Sequence, residues 1–140
     1  MDSVKGKLLE IDLSSNSSKE IKLEDKLIKK YIGGRGLGVK LLYDLLPENI
    51  DPLGEENIML ILTGPMTGSI IPGGGKYVVI TKSPVTGGFL DSYSSGRLAP
   101  ELKFAGYDGL IIKGIAKKPS YILIEDKKVQ IKDAKHLWGK

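Results

Sequence analysis

Cysteine is missing from this sequence altogether, and histidine occurs once, at His136. Without thiols the chain forms no disulfide and cannot hold an iron–sulfur cluster through thiolates of its own. A zinc site would have to be built almost wholly from carboxylates, which structural zinc rarely accepts. Metal chemistry served by this chain must therefore use ligands brought by a cofactor or by another polypeptide. Aromatic residues make up only 6%, and no interleaved aromatic–basic motif is present, so stacking on nucleobases is not expected. No apolar run approaches the roughly 18–20 residues needed to span a bilayer. The opening "MDSVKGKLLEIDL" also lacks the apolar core of a signal peptide. The expectation is a cytoplasmic protein engaging neither membrane nor nucleic acid.

What remains is an ordinary globular balance. The sequence has 140 residues, 41% hydrophobic and 27% charged, enough for one domain over 1–140 with a real core. A net charge of +4 favours anionic partners. Many lysines stand beside acids, as in "KLEDKLIKK" and "IEDKKVQIKD", which spreads the field as a solvated face does.

Hydropathy period marks the elements. In "GKLLEIDL", Leu9, Ile11 and Leu13 fall on one face and Leu8, Glu10 and Asp12 on the other. "SSNSS" turns the chain, and "KEIKL" resumes the alternation, which predicts a hairpin over 6–23. Leu27, Ile28, Tyr31 and Ile32 take helical spacing. A second apolar stripe runs through Leu37, Leu41, Leu42, Leu45 and Leu46, and Pro47 ends it. "NIMLILTG" reads as a buried strand, Tyr77 to Thr81 as the next, and Phe89 begins a weaker one. "GRLAPELKFAG" predicts a helix that carries Leu98, Leu102 and Phe104 or Ala105 on one face and ends in a glycine cap. "DGLIIKG", "SYILIED" and "KVQIKD" then read as a meander of three strands. The fold class expected is α+β, with mostly antiparallel sheets and about three helices.

Three segments bear on chemistry. "GGRGLG" at 33–38 lacks the spacing of a dinucleotide fingerprint and follows a helix, so it reads as a turn between helices. Arg35 would still stand near a helix N-terminus, where an anion can sit. "TGPMTGSIIPGGGKY" concentrates Gly64, Gly68, Gly73, Gly74 and Gly75 ahead of Lys76. Such a stretch is either a solvated hairpin loop or a bare backbone on which a large flat ligand can lie, with N–H groups and Lys76 meeting its anionic part. "TGGFLDSYSSGR" sets Ser92, Ser94 and Ser95 before Gly96 and Arg97 at a helix entrance, where serines cap the helix or N–H groups hold an anion. Two such loops, each beside a cation and separated by one strand, favour the anion reading. No nucleophile–base pair is visible. His136, beside leucine and tryptophan, reads as packing, so no catalytic residue is assigned.

Taken together, "RGLGVKLLYD", "TGPMTG", "GGKYVVITKSPVTG", "ELKFAGYDGLIIKG" and "HLWGK" resemble the N-terminal domain of the aldehyde:ferredoxin oxidoreductase family, the tungsten or molybdenum bis-pterin enzymes. The likeness runs in order along almost the whole chain. It implies a saddle of two β-sheets on which two molybdopterin-type cofactors rest, each supplying a dithiolene to the metal. A magnesium ion bridges their phosphates. Carried onto this sequence, the family's cofactor contacts fall at Lys76, Tyr93, Ser94 and Ser95, with Gly74 and Gly75 bringing the main chain against the pterin. The Tyr93 backbone carbonyl is the implied magnesium ligand. The family more often has arginine, asparagine and glycine at positions 76, 93 and 95. Lysine keeps the charge but loses the bidentate fork.

The same resemblance implies a longer enzyme, whose remainder carries the [4Fe–4S] cysteines and the acid–base residues and passes electrons to ferredoxin. This chain is then expected to be inactive alone, as an excised domain, a split-gene subunit or a relic. Its partner would be that cysteine-bearing remainder, or a second copy of itself in a homo-oligomer. The competing expectation is a non-catalytic binding or assembly protein that keeps the fold.

Overall fold

The computed structural model of the chain describes residues 4–140. Its main sheet has six strands in the order β2-β1-β6-β3-β4-β5. In chain order these are β1 (Lys7–Asp12), β2 (Ser17–Lys22), β3 (Ile58–Thr63), β4 (Tyr77–Lys82), β5 (Phe89–Ser94) and β6 (Gly109–Lys113). β7 (Ser120–Glu125) and β8 (Lys128–Asp133) form a separate antiparallel pair. The helices are α1 (Asp25–Tyr31), α2 (Gly34–Leu45) and α3 (Leu98–Phe104), and a 3₁₀ turn covers Lys135–Leu137. The only parallel pairing among these strands joins β1 to β6. The fold is therefore α+β with mostly antiparallel sheets and three α-helices, as the sequence predicts.

The alternation read in "GKLLEIDL" separates two cores. Leu8 belongs to the cluster of Leu37, Leu41, Leu42, Leu60, Leu62, Val78 and Ile80, where α2 packs on the sheet. Leu9 and Ile11 join Leu102, Tyr107 and Leu110 on the opposite face, covered by Ile122, Ile124, Val129 and Ile131 of β7 and β8. β1 is thus buried on both sides. α2 comes close to the sheet because Gly38 lacks a side chain: a Cβ there would collide with Ile80 and stand 2.9 Å from Leu62 Cδ1.

The expected meander is not formed. β6 leaves β7 and inserts between β1 and β3. Its nearly continuous apolar run suits a strand buried on both faces, whereas β7 and β8 have one apolar face to bury and pair with each other over β1 and β6. Gly109 permits the insertion, since a Cβ there would lie 2.6 Å from the Ile61 carbonyl oxygen.

α3 also departs from its predicted face. Leu102 and Ala105 pack inward, but Leu98 and Phe104 are exposed, and Lys103 is buried instead. The Lys103 ammonium pairs with Asp108. The Asp108 carboxylate also accepts the backbone N–H groups of Lys5 (3.1 Å), Gly6 (2.6 Å) and Lys7 (3.3 Å). A buried cation persists only when its charge is matched and hydrogen-bonded. The predicted glycine cap is present: Gly106 has φ +99° and donates its N–H to Lys103 O, and Tyr107 N–H reaches back to Leu102 O. His136 and its neighbours Leu137 and Trp138 are exposed, so the packing expected of that histidine is not seen.

Candidate cofactor-binding site

The glycine segment forms the connection between β3 and β4 and folds back on itself. Gly68 N–H donates to Gly74 O (2.9 Å), Gly74 N–H to Ile71 O (3.0 Å), and the Ser69 hydroxyl to Met66 O (2.7 Å). The result is a compact loop with a hollow of about 300 Å³ against β4, β5 and the start of α2. That volume lies at the lower end of small-molecule sites. Met66, Ile71, Pro65 and Val78 give it apolar walls, Gly73 and Gly74 a bare edge, and Lys76 and Tyr93 line it as well. Gly34, the first residue of α2, opens onto the same space, and backbone N–H groups in a first helical turn lack intrahelical partners.

Lys76, immediately before β4, is exposed and makes no ion pair among the described residues. Tyr93 stands opposite Val78 in the β4–β5 ladder, on the hollow's side of the sheet, with 60% of its surface exposed. Ser94, opposite Tyr77, falls on the other face by strand alternation. Ser95 follows the strand, is exposed and does not line the hollow. Lys76, Gly74 and Tyr93 therefore converge on one concavity, while Ser94 and Ser95 lie beside it.

Two of the glycines have a reason internal to the protein. A Cβ on Gly74 would sit 3.0–3.2 Å from the carbonyl oxygens of Ile71, Met66 and Ser69, and one on Gly75 would meet Gly96 O at 3.0 Å. Gly74 is bare so that the loop can close, and Gly75 so that the two polar loops can touch. Gly73 has φ +85° with open space in front of it; it is the glycine that faces outward.

The cations near α2 and α3 are engaged elsewhere. Arg35 Nε lies 3.3 Å from Asp91 Oδ2, and the guanidinium stands 5.9 Å from the Phe89 ring centroid. Arg35 thus ties α2 to β5 instead of meeting an anion at the helix start. Arg97 pairs with Glu101 at 3.5 Å and occupies the N-cap of α3 without a side-chain cap bond, so none of the serines caps that helix.

A larger groove of about 610 Å³ runs between α2 and the β4–β5 turn. Its lysine, Lys82, donates to Ile50 O at 2.8 Å and is not available as Lys76 is, so we take the smaller hollow as the candidate site. Sequence reasoning missed the apolar wall of Met66 and Ile71 and the buried Thr67 that lines the hollow with them. The only signal for them was their position inside the glycine-rich stretch. Among the described residues no group of three or more His, Cys, Asp or Glu is placed to hold a metal. A magnesium ion at this site would need main-chain carbonyls and cofactor phosphates as ligands. An unpaired lysine at the mouth of an apolar-walled hollow suits a flat ring carrying a phosphate, and in that respect the residues present fit a phosphorylated pterin. No helix among the described residues is long and apolar enough to cross a membrane.

Comparison with known proteins agrees along the chain. The family model for the aldehyde ferredoxin oxidoreductase N-terminal domain matches residues 8–140. A tungsten-containing aldehyde ferredoxin oxidoreductase of Pyrococcus furiosus is 44% identical over 135 residues, covering 96% of this chain and 22% of that protein. An aliphatic sulfonate oxidoreductase, WOR-like subunit, of the same organism is 49% identical over 137 residues, with the same coverage. Among solved structures, the active site complex BamBC of benzoyl coenzyme A reductase, in complex with 1,5-dienoyl-CoA, superposes with a TM-score of 0.95. It shares 36% identity and covers 99% of this chain and 21% of that one. The chain thus spans about a fifth of the length of the relatives it matches.

Proposed function

The chain belongs to the aldehyde ferredoxin oxidoreductase family, matching its N-terminal domain, and from that premise we propose that it cradles the pterin of a tungsten cofactor without performing chemistry alone. The observation that carries this reading is the unpaired Lys76 beside Tyr93 at the mouth of the glycine-loop hollow. Relatives named for aldehydes and for aliphatic sulfonates share this domain at 44% and 49% identity. A segment common to enzymes with different substrates serves what they have in common, and that supports a cofactor role.

In this reading Lys76 meets a pterin phosphate as a point charge. Gly73 and Gly74 let the ring system approach the main chain, and the apolar wall excludes water from its face. The Tyr93 side chain would line the bound cofactor, and the Tyr93 backbone carbonyl would be available as a magnesium ligand. Ser94, at the end of β5, and Ser95 after it would contribute from beside the hollow. When bound, the cofactor supplies the metal's sulfur ligands and the redox chemistry. The whole enzyme would convert an aldehyde and water to a carboxylic acid, two protons and two electrons. The electrons would leave for ferredoxin through a [4Fe–4S] cluster on a cysteine-bearing remainder in the cytoplasm.

The test is co-expression with a cluster-bearing remainder in a host that makes tungstopterin. Tungsten, pterin and aldehyde-dependent viologen reduction are then measured. Cofactor is expected in the assembled protein, and Lys76→Ala should lower its pterin content. Absence of pterin from the wild-type assembly overturns the reading. The departures at Lys76, Tyr93 and Ser95 favour one alternative, a binding or assembly protein that keeps the fold. It predicts association with the remainder but no pterin.

A further inference from the structure

The glycine loop has one buried side chain that bonds to both of its ends. Thr67 is only 8% exposed. Its hydroxyl accepts the Gly64 N–H at 3.1 Å and donates to the Lys76 carbonyl oxygen at 3.1 Å, while Thr67 N–H returns to Gly64 O at 3.2 Å. Gly64 is the first residue after β3, and Lys76 the last before β4. The strand ends on either side are themselves fixed. Thr63 pairs with Tyr77, and both the Thr63 hydroxyl (2.7 Å) and its N–H (3.0 Å) bond to Asp108 O. Residues between these anchors hold their shape by glycine-to-backbone bonds and bonds of the Ser69 hydroxyl, and apart from Thr67 none of them is buried. Such a segment is the part of a fold most able to open locally.

We infer that Thr67 is a positioning residue: its hydroxyl clasps the two ends of the glycine loop and so fixes where Lys76 leaves the main chain toward the hollow. The bond geometry stands independently of any ligand, whereas its use for a phosphorylated cofactor rests on the function proposed above. A hydroxyl is required because the position needs an acceptor for Gly64 and a donor for Lys76 at one atom. Serine retains both capacities and valine neither, although valine fills the same volume.

The experiment uses the chain with Thr67→Val and Thr67→Ser and reads amide hydrogen exchange at Gly68 and Gly74. Thr67→Val should speed exchange there about tenfold, the scale of one lost buried hydrogen-bonding group. The Leu110 and Ile111 amides in the buried β6 should keep far slower exchange than the loop, and Thr67→Ser should leave the loop at wild-type rates. Unchanged rates in Thr67→Val overturn the inference. So does acceleration in β6 with none in the loop, which would place the contribution of Thr67 outside the loop. Titration with inorganic pyrophosphate separates the two claims. If it binds, Thr67→Val should weaken it severalfold, and unaltered affinity would count against positioning of Lys76. If pyrophosphate perturbs no resonance at Lys76 in the wild type, the phosphate contact proposed for Lys76 fails, and the exchange result alone decides for or against the clasp.

Discussion

At the scale of single residues, charge does its visible work in two places. Burial alone would push the Glu10 carboxyl up. Hydrogen bonds and charge from Lys113 and Lys19 outweigh it and hold the group below its ordinary 4.5. Lys113 is raised in turn, first by its hydrogen bond to Glu10 and then by that carboxylate's charge. A depressed carboxylate contributes stability that is present above its unfolded value and lost as pH falls through the folded one. The stability difference between wild type and Glu10→Gln should therefore be full at pH 7 and shrink below pH 4.5, as denaturant melts across pH would show. The raised Lys113 contributes below its ordinary 10.5, and that part fades as pH rises through the higher folded value. The Asp108 carboxylate is the more consequential group, because it serves three amides as well as Lys103. Asp108→Ala should cost about 3–5 kcal/mol and exceed Lys103→Met, which leaves the amide bonds in place. A chemical-denaturation series that reversed this order would contradict it.

At the scale of elements, the close seat of α2 on the sheet depends on Gly38. Alanine there would gain about 1 kcal/mol of helix propensity. It would also force the fully buried Ile80 and Leu62 aside, at about 1–3 kcal/mol. Gly38→Ala should melt lower than wild type, and an unchanged midpoint would mean the helix can lift without loss. The elements also show where sequence reading succeeds and where it stops. Period alone marked the β1–β2 hairpin and both early helices, since their apolar faces are local patterns. The insertion of β6 beside β1 was not legible, because a strand's partners are chosen by the whole sheet. Lys103 was not legible either: its burial depends on a carboxylate that the fold brings beneath it. In the site, glycine density draws attention to 64–76, but Gly74 is bare so that the loop can close and Gly75 so that the two polar loops can touch.

At the scale of the whole molecule, many large apolar side chains stand open, and two groups of them gather at the cavities. Met66, Ile71 and Tyr93 surround the hollow, and Val39, Tyr43 and Phe89 line the groove beside α2. Exposed contiguous apolar surface is characteristic of faces made for contact. The isolated chain should therefore self-associate as its concentration rises, and sedimentation velocity should show a growing mean mass. A constant monomer mass at high concentration would argue that these faces are tolerated in water.

The parallel seam between β1 and β6 has a consequence in time. Ile11, near the start of the chain, completes its ladder with Ile112, and Gly6 reaches the carboxylate of Asp108. During synthesis the first hairpin emerges long before either partner exists, with Leu9 and Ile11 still facing water. Contacts so distant along the chain make folding slow to complete, and Leu9 and Ile11 stay uncovered until β6 and the β7–β8 pair have followed them out of the ribosome.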